Sequence, residues 1–146
     1  MMFPEIKKNF GFGCMRLPMD GDNVDIEQTK QMVDKFLEAG FNYFDTAHVY
    51  IHGQSETAIR EALTSRYPRE SYILTDKLSN STFNSEEDIR PIIQQQLEAC
   101  RVEYFDFLLM HNMTMKVFGK YKACKAIETA FELKKEGLVH HVGLSC

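Results

Sequence analysis

The sequence predicts an α/β fold in which the strands of a parallel sheet alternate with covering helices. Three observations carry that expectation. Short apolar runs, rich in aromatic and branched residues, recur at Phe41–Phe44, Tyr72–Leu74, Phe105–Met110 and Val139–Leu144. Their starts lie about 30 to 35 residues apart, the length of one strand–helix–strand unit. Between the runs the apolar pattern switches to the period of a helix.

Taken in chain order, an apolar and glycine-rich stretch at Phe10–Met15 is read as a first strand. Met32, Val33, Phe36 and Leu37 then share one helical face, and Gly40 follows where a left-handed residue is wanted. After the second run, Ala58, Ile59, Ala62 and Leu63 make the next stripe. Ile89, Ile92, Ile93, Leu97 and Cys100 make the third. Ser85 or Asp88 can cap that third helix, and the second choice places Pro91 in its first turn, where a missing N–H costs little. Ile127, Ala130, Phe131 and Cys124 form the fourth stripe, closed by Gly137. The chain thus reads as five strands and four helices. Strands apolar throughout suggest a parallel sheet covered by helices. An open doubly wound sheet and part of a (β/α) barrel both fit, and periodicity does not separate them.

Composition narrows the function classes. The chain has 146 residues, 44% hydrophobic and 26% charged, with a net charge of −4. That is globular composition, enough for one domain over residues 1–146. No basic stripe suggests a nucleic-acid partner. The apolar runs are too short to span a membrane, and Met1–Asn9 lacks the apolar stretch of a secretory signal. Cys14, Cys100, Cys124 and Cys146 lie far apart with no CxxC pair. They read as reduced thiols of a cytoplasmic protein rather than a zinc or disulfide framework. The methionines read as core fillers.

Chemistry is expected at the carboxyl ends of the strands, where both candidate architectures place it. Asp45-Thr46-Ala47-His48-Val49-Tyr50 follows the second run, Thr75-Asp76-Lys77 the third, His111-Asn112 the fourth and Ser145-Cys146 the last. Singly, each has a bland reading: Asp45 as a turn residue, Tyr50 as packing, Lys77 as a solvated cation, His111 as a structural histidine. Jointly they suit one reaction. A cation beside a tyrosine favours its phenolate, which makes the phenol a usable proton donor near neutral pH. An aspartate keeps the lysine charged and oriented. A histidine can hydrogen-bond and polarise a carbonyl. Hydride must then come from a cofactor, because no side chain supplies one. His48 and His52, spaced i and i+4, raise a metal-dependent hydrolase as a competing idea, but no third ligand has motif spacing.

The same residues carry a family resemblance. Phe44-Asp45-Thr46-Ala47 with Tyr50 and Ser55-Glu56 resembles the FDTA..YG.SE signature of the aldo-keto reductases. Thr75-Asp76-Lys77 resembles that family's lysine-bearing strand end. Phe105–His111 resembles its YiDLlLiH strand, Glu136–Ser145 its EGKIRhIGvSN strand, and Gly11–Leu17 its opening GfGtmrL. Five ordered motifs run from Gly11 to Ser145.

The resemblance implies a (β/α)8 barrel of which this chain is the N-terminal part, about the first five strands and four helices. It implies NADPH-dependent reduction of an aldehyde or ketone, with NADH as the alternative cofactor. Tyr50 would be the general acid, tuned by Lys77, which Asp45 holds, and His111 would orient a small carbonyl substrate. Gly13, Cys14, Met15, Asp45 and Ser145 would contact the nicotinamide end, and no resident metal is implied. There are departures. Ile51-His52 lengthen the loop before Gly53, Asp76 stands before Lys77 as an added residue, and Cys146 occupies the place of an asparagine. A complete barrel takes about 250 residues, and its pyrophosphate site follows strands seven and eight. The expectation is therefore a fragment, inactive when isolated, with two open sheet edges. An iron–sulfur module, carried by some members near the C-terminus, would lie beyond it. The alternative is a non-catalytic half-barrel acting as a binding or redox-sensing module. Oligomeric state stays open.

Overall fold

A computed structural model of the chain describes residues 3–146. Met1 and Met2, which begin both the predicted domain and the N-terminal segment read as no signal, lie outside the described residues. Five strands form one parallel sheet: β1 (Gly11–Gly13), β4 (Tyr43–Asp45), β5 (Ile73–Leu78), β6 (Phe105–Met110) and β7 (Val139–Leu144). Their spatial order is their sequence order. A doubly wound sheet reverses direction at a switch point. A strictly sequential order does not, and it is the arrangement of a barrel's arc. Among the described residues β1 and β7 are the free edges.

Helices α1 (Ile26–Glu38), α2 (Gln54–Ile59), α3 (Ile89–Cys100), α4 (Met115–Ala123) and α5 (Ala126–Lys135) lie between these strands. α1 starts at Asp25, whose side chain accepts from the Gln28 N–H at 2.9 Å. It closes at Gly40, with φ +83°. Ser85 and Asp88 form a reciprocal capping box around a short 3-10 turn, Glu86–Asp88, that leads into α3. Both predicted caps therefore serve the same helix start. α2 runs into a π turn over Arg60–Thr64, and its stripe of Ala58, Ile59, Ala62 and Leu63 is buried. Phe12, Phe36, Phe41 and Phe44 pack with ring centroids 4.9 to 5.4 Å apart between α1 and the first two strands of the sheet. Truncating fully buried Phe44 to alanine there would cost about 3–5 kcal/mol.

Four sequence expectations need correction. The first strand is shorter than Phe10–Met15, because Cys14–Arg16 turns into a 3-10 helix. The fourth helical segment is two helices, α4 and α5, broken where Lys125 adopts a left-handed conformation with φ +49°. Phe131, placed on its buried face, is 49% exposed. The methionines are not mainly filler: Met15, Met19, Met32 and Met115 are exposed, whereas Met110 is buried. Asp76 itself lies inside β5. It pairs in continuous register with Leu108, between Thr75↔Phe107 and Lys77↔Leu109. A two-stranded antiparallel hairpin, β2 (Met19–Asp20) and β3 (Asn23–Val24), was not foreseen. It turns through Gly21, at φ +59°.

Candidate active site

The carboxyl ends of β4, β5 and β6 bring Asp45, Tyr50, Lys77 and His111 together. Lys77 sits within β5 rather than after it, and β5 is buried along its whole length. Because side chains alternate along a strand, Lys77 points to the inner face, while Asp76 points to the helices. The Lys77 ammonium donates to Asp45 Oδ1 at 2.5 Å and to the Thr46 carbonyl at 2.8 Å. It stands 4.7 Å from the centre of the Tyr50 ring. The Tyr50 ring meets the His111 ring edge-on at 5.6 Å.

Local structure holds each member in place. Thr46, fully buried, shares a 2.7 Å hydrogen bond with Ser55, whose hydroxyl donates to the Cys14 carbonyl at 3.0 Å. This ties the ends of β1 and β4 to the start of α2. Tyr50 opens a 3-10 turn, and the next three residues all have positive φ: Ile51 at +49°, His52 at +53° and Gly53 at +88°. A branched residue in that region carries strain of roughly 1–3 kcal/mol. The β2–β3 hairpin holds the turn: Gln54 accepts from the Val24 N–H at 3.1 Å and donates to the Asp22 carbonyl at 2.9 Å. His111 donates its backbone N–H to the Leu78 carbonyl at 3.0 Å. The buried Tyr121 hydroxyl, on α4, lies 2.7 Å from that same oxygen and 2.9 Å from the His111 carbonyl.

The electrostatics follow from these neighbours. Burial by itself would depress the Lys77 ammonium, but the charge and hydrogen bond of Asp45, helped by Tyr50, hold its pKa above the ordinary lysine value. Burial, with the Lys77 charge, lowers the His111 pKa, so its imidazole is neutral at neutral pH. On the other face of β5, burial and then the Glu56 carboxylate push Asp76 well above the usual carboxylate range. Glu56 is itself buried and meets His48 Nδ1 at 2.9 Å. His48 is thus engaged with Glu56, and among the described residues no three His, Cys, Asp or Glu side chains cluster as a metal site.

Tyr50, Lys77 and His111 line an open cleft of about 440 Å³, together with Ser79, Asn80, Ser81, Asn112, Ser145 and Cys146. Asp45 supports Lys77 from behind. Ser145 caps the Asn112 N–H with its hydroxyl at 3.1 Å, joining the ends of β6 and β7. Gly13, in register with Asp45, and Met15 are exposed at the same end of the sheet. Cys14 is wholly buried between them, and burial raises its thiol pKa. Ser79, Asn80 and Ser81 escaped the sequence reading. The signal was present, since a polar run directly after Leu78 is the same strand-end pattern that marks the other positions.

The chain is similar to known proteins in sequence and in fold. The uncharacterised oxidoreductase YqkF of Bacillus subtilis (strain 168) is 27% identical over 144 residues, covering 92% of this chain and 44% of that protein. The holo form of aldo-keto reductase AKR11C1 from Bacillus halodurans superposes with a TM-score of 0.75 at 30% identity, over 93% of this chain and 45% of that one. An aldo-keto reductase from Klebsiella pneumoniae, solved in complex with NADPH, shares the fold at 20% identity and a TM-score of 0.73, over 93% and 44%. The chain therefore spans less than half the length of these proteins. A model of the Aldo/keto reductase family matches residues 9–146, and the chain belongs to that family.

Proposed function

We propose that this chain carries the proton-donating half of an NADPH-dependent carbonyl reductase site, and that the intact protein reduces an aldehyde or ketone. The observation that carries the proposal is the buried Lys77 cation, fixed by Asp45 and set against Tyr50, with neutral His111 across the same cleft. The Klebsiella relative binds NADPH, and the residues present suit the nicotinamide end of that cofactor. At Gly13 an added Cβ would meet nothing within 4 Å, so that strand end is open. Ser145 and Asn112 supply hydroxyl and amide groups at the mouth. When bound, the cofactor supplies hydride to the carbonyl carbon.

The chain's own groups handle the oxygen. A substrate carbonyl lying between Tyr50 and His111 accepts a hydrogen bond from each. As negative charge develops on that oxygen, the Tyr50 hydroxyl transfers its proton to it. The phenolate left behind faces the Lys77 ammonium, which lowers its energy without moving. Asp45 and the Thr46 carbonyl keep that ammonium aimed, and the cation's two hydrogen bonds remain unchanged through the step. His111, uncharged, polarises the carbonyl without placing a second full cation in the cleft.

In the longest natural form of the protein, consumption of NADPH should depend on an added aldehyde or ketone, followed by loss of nicotinamide absorbance. A folded protein that neither binds NADPH nor consumes it with a panel of carbonyls would contradict the proposal and favour a non-catalytic binding role for the half-barrel.

A further inference from the structure

We propose that Ser79 is a positioning residue that sets the tautomer of His111, so that the ring presents a donor to a carbonyl. The inference rests on the carbonyl-reducing reading above and assigns a role to a residue outside the four that react. Ser79 follows β5 directly and is 4% exposed. Its hydroxyl lies 2.7 Å from His111 Nδ1 and has no other hydrogen-bond partner among the described residues. The turn that carries it is fixed. The Ser79 carbonyl accepts from the Thr82 N–H at 3.0 Å and from the Thr82 hydroxyl at 2.7 Å. The Asn80 carbonyl accepts from Lys120 of α4 at 2.6 Å. His111 is equally fixed through its own backbone, at Leu78 and Tyr121. Two rigid segments therefore meet at one hydrogen bond.

A neutral imidazole carries a single N–H. If the Ser79 hydroxyl donates to Nδ1, the proton sits on Nε2, which is left for the cleft and can donate to a carbonyl oxygen. If Nδ1–H donates to Ser79 instead, Nε2 becomes an acceptor. It then repels a carbonyl and receives the O–H of an alcohol. A serine hydroxyl can do either; a carbonyl-reducing site needs the first arrangement, in which the hydroxyl donates to Nδ1 and Nε2–H faces the cleft. An aspartate at this position would only accept, and would hold the proton on Nδ1. Alanine would leave Nδ1 with no partner. The second nitrogen's hydrogen bond sets the tautomer of histidines generally; here a residue of the turn after β5 supplies it.

The test is long-range proton–nitrogen NMR of the histidine rings in this chain, at a pH where His111 is neutral, with His111→Gln to assign its signals. Wild type should show the Nε2–H tautomer, Ser79→Thr should keep it, and Ser79→Asp should switch it to Nδ1–H. In the longest natural form of the protein, Ser79→Ala should lower the turnover number for carbonyl reduction about ten-fold at similar NADPH affinity, and Ser79→Thr should restore it. An unchanged Nε2–H tautomer in Ser79→Asp, with Ser79→Thr as the folded control, overturns the proposal. If turnover vanishes in Tyr50→Phe while the tautomer ignores Ser79, this inference fails and the function stands. If the tautomer follows Ser79 but no carbonyl is reduced, the proposed function fails and the tautomer control stands.

Discussion

Asp76 and Lys77 are neighbours on one strand and almost equally buried, at 0% and 4% exposure, yet their charges behave in opposite ways. Lys77 faces the cleft, meets the carboxylate of Asp45, and keeps its charge. Asp76 faces the helices and meets a like group, Glu56, with Gln96 donating to it at 3.0 Å. It keeps its proton. The difference teaches that burial alone does not settle ionisation: at Lys77 an opposite charge overcomes it, and at Asp76 burial prevails with a like charge reinforcing it. Stability should record this. A folded-state pKa raised above the unfolded value gives Lys77 a stabilising effect that is complete at neutral pH and lost only as pH climbs above the ordinary lysine value through the folded one. For Asp76, also raised, stability declines as pH rises above the ordinary carboxylate value of about 4, because the unfolded chain loses its proton first.

The largest expected effect comes from breaking the inner pair. Lys77→Met should lower carbonyl-reducing turnover about a thousand-fold, since the proton donor loses the cation beside it. It should also cost about 1–3 kcal/mol by stranding Asp45 and the Thr46 carbonyl, as read in denaturant melts. The decline of stability with rising pH should survive, because the Asp76–Glu56 pair is untouched. Next is Tyr121→Phe, which removes the hydroxyl shared by the Leu78 and His111 carbonyls at the end of the same strands. A loss of about 1–2 kcal/mol is expected, smaller than for Lys77 because Leu78 still accepts from the His111 N–H. The smallest effect is on the outer pair. Asp76→Asn imitates the protonated acid, so it should raise the melting temperature at pH 7.5 by a few degrees, on the order of 1 kcal/mol, and do little near pH 4. An Asp76→Asn protein with the wild-type pH slope would mean that this carboxyl is ionised and the contrast is wrong.

Much of the inner face was legible in the sequence, and most of the outer face was not. A polar residue directly after an apolar strand is a local pattern, so Asp45, Lys77, His111 and Ser145 stand out, as do Ser79 and Asn80 once the same rule is applied to Leu78. The Asp76–Glu56 pair joins residues twenty positions apart from different elements, and no local pattern announces such a contact. The β2–β3 hairpin was readable, because Gly21-Asp22 is a turn pair between short extended segments. The break at Lys125 and the left-handed Ile51 were not. Neither is a glycine, and tertiary ties rather than residue preference fix those conformations, as Gln54 does beside Ile51. Exposed Met32 and Phe131 illustrate the remaining gap: a helical stripe marks a face, and how much of that face is covered depends on neighbours the pattern does not contain.

The most direct test of the proposed site is Tyr50→Phe in the longest natural form of the protein, with NADPH binding and carbonyl-dependent NADPH consumption measured on the same preparation. Binding within about two-fold of wild type, with turnover reduced about a thousand-fold, is the expected result. Undiminished turnover in that variant would contradict the account, since the proton would then come from somewhere other than Tyr50.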